Sequence, residues 1–146
     1  MSRVRVHNFA ISLDGYGAGA DQSLEHPFGH ADGRLMGWFA ATATFRPLVM
    51  AGGTTFHFVD ASPAEALRQA RAAAPGLDVR IGGGVETVRE FLAADLVDHL
   101  HVVVVPIVLG CGEQLWDGLE GLEDRFDIES VASPSGVVHR TFRRRT

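Results

Sequence analysis

The sequence predicts an α/β fold: a mainly parallel central sheet with helices on its faces and a C-terminal antiparallel hairpin. Three observations lead there. Strand-like and helix-like segments alternate through the middle of the chain, the pattern of parallel strands joined by crossing helices. The run Leu100–Val108 (LHVVVVPIV) is continuously apolar, as in a central strand covered on both sides. Phe126–Ala132 and Val137–Arg143 read as two strands joined by Ser133-Pro134-Ser135-Gly136, a hairpin. At 146 residues, the whole chain, residues 1–146, has the length of a single domain.

Taken in order, Arg3–Ile11 (RVRVHNFAI) alternates and is rich in β-formers, so it reads as the first strand. Ser12–Gly17 ends it in a glycine-containing loop. Asp21–Asp32 is polar, holds Pro27 and Gly29, and reads as a long irregular loop of the kind that often binds ligands. Arg34–Arg46 reads as a helix, because Leu35, Trp38, Phe39, Thr42 and Phe45 fall near helical spacing. Pro47 follows abruptly. Leu48–Met50 is a short apolar run, broken by Ala51-Gly52-Gly53, and Thr54–Val59 reads as a strand.

Ser62 then fits a helix N-cap, Pro63 the first helical position and Glu65 the capping-box site. That helix should run to about Ala74, where Pro75-Gly76 stops it. Asp78–Ile81 reads as a short buried strand, Gly82-Gly83-Gly84 as a tight turn, and Val85–Ala94 as a second helix. Pro106 inside the apolar run marks a bulge or a change of direction.

Composition narrows the function. The net charge is −5 and the pI about 5.7, which argues against a nucleic-acid partner, since such proteins need a basic stripe. The basic run Arg143-Arg144-Arg145 reads as a solvated tail. Cys111 is the only cysteine, so no internal disulfide forms and a cytoplasmic location is expected. No segment approaches the roughly 20 apolar residues of a membrane span, so no membrane partner is expected. Met1 runs directly into a strand-like segment, the pattern of a chain without a signal peptide.

Three segments can carry chemistry. In Val79–Thr87 a strand ends, three glycines turn the chain and a helix begins. Bare backbone N–H groups and the helix N-terminus fit a pyrophosphate, although a plain tight turn has the same pattern. At the end of the first strand Asn8, Ser12 and Asp14 sit where open α/β sheets bind ligands. Asp14 fits a proton donor, a substrate anchor or an Asx-type turn before Gly15. Leu109-Gly110-Cys111-Gly112-Glu113 allows a flat loop beside a planar ring, or a hairpin connection. Cys111 has no base nearby in sequence and reads as a bystander. His99 and His101 share a strand face, and His26 and His30 a loop, but no metal motif occurs and no metal is expected.

Taken together, these segments resemble the reductase domain of bacterial riboflavin biosynthesis and its dihydrofolate-reductase-like relatives. The resemblance rests on Asn8–Gly15, Gly52–Val59, Arg80–Gly84, Leu96–His101 and Pro106–Trp116, and so covers nearly the whole chain. It implies a dihydrofolate-reductase-like fold that uses NADPH to reduce a small heterocyclic or carbonyl substrate. On that implication Gly82, Gly83, Gly84, Val85, Glu86 and Thr87 hold the pyrophosphate. Ala10 and Gly15 line the nicotinamide, and Asn8, Ser12 and Asp14 face the substrate. Leu109 and Gly110 close the far side of the nicotinamide pocket, and Asp14 is the one acid placed to donate a proton. A homodimer is the implied assembly.

The chain also departs from the family. A second cofactor-binding strand with its helix, and a further strand, should follow the first helix, yet Phe45-Arg46 runs almost directly into Pro47-Leu48. The absent block amounts to about 50 residues by typical element lengths. A sheet lacking adjacent central strands would expose ladder edges. An omitted piece of chain, a deletion covered by a dimer partner, or a different core packing would each account for it. Three functions stay open: an NADPH-dependent reductase, a ligand-binding relative without catalysis, and an interaction protein that pairs through sheet edges or the Leu100–Val108 region.

Overall fold

The computed structural model describes residues 2–40 and 57–146. The expected helix beyond Ala40, the Leu48–Met50 run and the first half of Thr54–Val59 lie outside the described residues. Of that last segment, His57–Val59 carry no regular structure, and the Phe58 ring is almost wholly exposed.

Five strands form one contiguous sheet. They are β1 (Val4–Ser12), β3 (Val79–Ile81), β4 (His99–Val105), β6 (Phe126–Ala132) and β7 (Val138–Arg144), in the order β3-β1-β4-β7-β6. β1 runs parallel to both β3 and β4, while β4–β7 and β7–β6 are antiparallel. The expected α/β class, with its terminal hairpin, is the observed one. Two further strands, β2 (Tyr16–Ala18) and β5 (Glu113–Gln114), form a small antiparallel pair.

The expected gap beside the central strands is not there. β1 is filled on both sides, by β3 and β4, so among the described residues no ladder stands open in the middle of the sheet. Among the described residues the outer strands are β3 and β6. β3 is not the buried strand the sequence implied: Val79 is half-buried, Arg80 exposed and only Ile81 buried, because an edge strand is covered on one side alone.

Each face of the sheet has its own core. On one face Val4, Val6, Leu100, Val102 and Phe142 pack against Leu67 of α2 (Pro63–Ala73) and Val85, Val88, Phe91 and Leu92 of α3 (Val85–Ala93). α2 begins where the sequence placed it: the Ser62 hydroxyl accepts from the Glu65 N–H, and Pro63 occupies the first turn. The Glu65 carboxylate does not complete a capping box. It turns forward to Arg68 and Gln69 instead. On the other face Ala10, Val103 and Val105 meet Ala31, Leu35 and Trp38. These come from paired 3-10 turns over Gly29–Leu35 and from α1 (Gly37–Ala40), so helical structure starts inside the expected loop.

Of the two readings of Pro106, the change of direction holds and the bulge does not. Pro106 follows Val105, the last residue of β4, where a proline without an N–H ends the ladder; the chain bends there, and the Ile107 N–H donates back to the Val105 carbonyl at 2.8 Å. The arginine run is not a solvated tail. Arg143 and Arg144 belong to β7, and Arg144 donates to the Asp95 carboxylate and the Val97 carbonyl while lying over the Phe126 ring.

Leu100 is fully buried in the central strand. Leu100→Ala should cost about 2–5 kcal/mol of stability, read as a lower urea midpoint with an unchanged slope.

Candidate active site

β1 slips phase halfway along. Val6 pairs with Leu100 and Phe9 with Val102, so His7 and Asn8 together stand opposite the single residue His101. This is a β-bulge, a device that bends a strand and re-aims its side chains. Asn8 takes a φ of 55° there, a left-handed conformation that asparagine tolerates better than most residues. Beyond the bulge the strand wall faces a cavity of about 270 Å³.

The cavity lies between the bulged half of β1, the Gly82–Val85 turn, and the segment from β2 to Met36. Of the residues expected at a site, Asn8, Ala10, Gly82, Gly83, Gly84 and Val85 line it. Gly84 caps α3 with a φ of 79° and offers no side chain to the helix amides, which leaves them open to a ligand. Space beside Gly82 and Gly83 is empty: a side-chain carbon added at either would meet nothing within 4 Å. A helix N-terminus lined by bare backbone is suited to an anion.

The remaining expected residues lie elsewhere. Ser12 is fully buried, and its hydroxyl accepts from the Tyr16 N–H at 3.0 Å, so it faces no substrate. Gly15 is buried against Gln114 and Trp116. Glu86 and Thr87 point outward along α3, and Leu109 is buried in the second core.

Asp14 is a clasp. Its carboxylate accepts from the Leu109 N–H at 3.1 Å and the Gly110 N–H at 2.7 Å, and its carbonyl accepts from the Gln114 side chain. The Ser12 hydroxyl, then the Gly110 and Leu109 amides, hold its pKa down to about 2. A carboxylate held as an anion and engaged on both oxygens has no proton to give at neutral pH, which removes the ground for reading it as the proton donor. Leu109 and Gly110 thus serve as the partners of this clasp, away from the cavity.

Several cavity residues carry no sequence motif. Gly17 is required by close approach: an added carbon would lie 2.7 Å from Val85 and 3.1 Å from the Phe9 ring. Gln22, Pro27 and Phe28 come from the polar loop that read as a binding loop, and Glu113 from the expected flat loop. Gln22 donates to Glu113 at 2.7 Å, closing the cavity rim. His30 ties the same loops. It accepts the Ala20 N–H at Nδ1 (2.9 Å), which leaves Nε2–H to donate to the Leu109 carbonyl at 3.2 Å. His7 also lines the cavity, its pKa lowered by burial and then by Arg80 and Arg5. Among the described residues no three His, Cys, Asp or Glu side chains converge on a metal position. Nor is any described helix long and apolar enough to cross a membrane.

Asp14→Asn should weaken the clasp and speed amide exchange at Leu109 and Gly110. Because the folded pKa lies below the ordinary 3.8, the carboxylate's contribution is complete above that pH and is lost as pH falls through about 2. Urea titrations from pH 5 downward should therefore show a steeper acid limb in this window than in the variant, in which Glu65, Asp78 and Asp95 alone among these held carboxylates remain.

One of the solved structures compared shares this fold. A crystal structure described as that of a riboflavin biosynthesis protein from Shewanella sp. PV-4 superposes with a TM-score of 0.61 at 17% identity, covering 100% of both chains. A pyrimidine reductase-like protein from Corynebacterium diphtheriae is 22% identical, with a TM-score of 0.46 over 59% of this chain and 36% of its own. No curated protein matches in sequence. The RibD C-terminal domain family, however, matches residues 41–138, most of the sequence from the end of α1 to the first residue of β7. The chain belongs to the RibD C-terminal domain family.

Proposed function

We propose that the protein is an NADPH-dependent reductase that transfers hydride to a small heterocyclic or carbonyl substrate. One observation carries this reading. The cavity brings the β1 wall, Asn8 and Ala10, to the uncapped N-terminus of α3 behind Gly82–Gly84. The residues present fit one end of the cofactor. The helix N-terminus suits a phosphate, and the apolar wall of Phe9, Ala10, Phe28 and Met36 suits a planar ring.

When bound, the cofactor would supply the hydride. The chain's own part is to seat a phosphate on the Gly83, Gly84 and Val85 amides, to orient a ring against Ala10, and to exclude water with the Gln22–Glu113 bridge. With Asp14 held as an anion, the proton comes from water or from the substrate itself.

The small cavity favours one second reading. At about 270 Å³ it falls at the low end of ligand sites, which span roughly 300–1,000 Å³. That volume suits part of a dinucleotide, as in a nucleotide-binding relative without turnover. The edges of β3 and β6, the outer strands among the described residues, are where a second copy would add in the homodimer we propose, and a cytoplasmic location is part of the same reading.

NADPH titration followed by reduced-nicotinamide fluorescence should show saturable binding in the micromolar range. Gly82→Asp puts a negative charge into open space beside the phosphate seat. It should weaken binding about tenfold, near 1.4 kcal/mol, without lowering the melting temperature. No binding at millimolar cofactor would refute the reductase reading. Binding without oxidation by any carbonyl or heterocyclic substrate would favour the second.

A further inference from the structure

The bulge in β1 creates a deficit that the fold makes good with a side chain. Where two residues oppose one, the extra residue loses its ladder partner, and here that residue is Asn8. Its N–H points instead to Nδ1 of His101, the very residue opposite the bulge, at 3.3 Å. His101 Nε2 lies 3.0 Å from His139 Nδ1, with the two ring planes parallel to within 7°. An N–H donated to Nδ1 requires that nitrogen to be unprotonated, so Nε2 carries the hydrogen and donates to His139. The three groups form one directed chain: Asn8 N–H to His101, His101 N–H to His139.

We infer that His101 is a positioning residue: by accepting the amide hydrogen that the bulge orphans, it holds Asn8 at positive φ and sets the Asn8–Ala10 wall against the Gly82–Gly84 turn. This rests on the reading of the cavity as the ligand site. His101 touches no ligand in this role and acts through the backbone of Asn8.

The surroundings favour the neutral imidazole that the role needs. The groups facing His101 are His7 on β1, His99 on its own strand and His139 on β7, and each opposes a positive charge there. Arg5, Arg80 and Arg143 stand behind them, around His7 and His99. Glu129 on β6 sits across Thr141 from His101 in register, but is paired with Arg143. Burial comes first among the causes, and with these neighbours it brings the His101 pKa down to about 4. The acceptor at Nδ1 is therefore available at neutral pH and is lost on acidification.

The test compares His101→Leu, which removes the acceptor, with His101→Asn, whose side-chain oxygen can replace Nδ1. The leucine variant should exchange the Asn8 amide about tenfold faster and bind NADPH about tenfold more weakly, and the asparagine variant should restore both. In the wild type the Asn8 amide resonance should titrate well below the ordinary histidine range, and in both variants that titration should vanish. A packing role alone would not move with pH or be rescued by asparagine. Equal Asn8 exchange in wild type and the leucine variant, or a nitrogen spectrum showing hydrogen on His101 Nδ1, would overturn the inference. So would unchanged NADPH affinity in the leucine variant. If the wild type binds no NADPH, the cavity reading fails and the inferred purpose fails with it, whereas the exchange and titration data still decide whether His101 holds the bulge. If the leucine variant folds poorly, the wild-type titration and the asparagine variant decide.

Discussion

Everything in this fold turns on how β1 changes sides. A strand presents alternate residues to alternate faces, so a single extra residue inverts its phase. Val4 and Val6 serve the helical core with even numbers, and Phe9 and Ile11 serve the same core with odd ones. The inversion also turns Ala10 toward the other core and carries His7 and Asn8 into the cavity wall. Without the slip, the second half of β1 would point its apolar residues at the wrong layer. The bulge is therefore a requirement of packing, and the cavity is built on it.

The same economy governs the loops. The turn after β1, the stretch after β4 and the long loop before α1 carry little regular structure, and polar side chains tie them into one rim. Asp14 holds the 109–110 amides, His30 joins Ala20 to Leu109, and Gln22 reaches Glu113. Each tie satisfies backbone groups that no ladder can reach, or adds a side-chain bond where the β2–β5 pair already brings two loops together. Function classes that need a mobile acid are poorly served by Asp14 in this arrangement, and classes that need a rigid wall are well served.

Much of the fold was legible from local signals. Ser62-Pro63 starts α2, the apolar run from Leu100 marks the central strand, and the hairpin declares itself by its turn. The phase slip, too, is written in the order Val4, Val6, Phe9, Ile11, although strict alternation was the simpler reading. The place of the glycine turn between β3 and α3 was legible because strand, bare turn and helix follow one another in the sequence, and the fold sets that turn in the cavity wall. Asp14, Ser12 and Gly15 misled because sequence shows which groups are polar or bare but not what they bond. Their partners, Leu109, Gly110, Tyr16 and Gln114, are fixed only when β2 and β5 come together. Gly17 and the Gln22–Glu113 bridge are tertiary in the same way.

The ion pairs have a polarity of their own. Apart from the intrahelical Glu65–Arg68 pair, those among the described residues gather toward the end of the sheet where β1 begins and β7 finishes: Arg5–Asp78, Arg125–Asp95, Arg144–Asp95, Arg144–Asp98, Arg145–Asp127 and, a little further in, Arg143–Glu129. The cavity lies toward the opposite end, where apolar residues and bare backbone are joined by His7, Asn8, Gln22 and Glu113. Ionic strength therefore addresses the two ends separately. Added salt loosens the charged end, while at the cavity, which holds the Glu113 carboxylate but none of these ion pairs, it has less to screen. The molecule keeps its ion pairs at a distance from its cavity, so each can be tuned by surface substitution with little cost to the other.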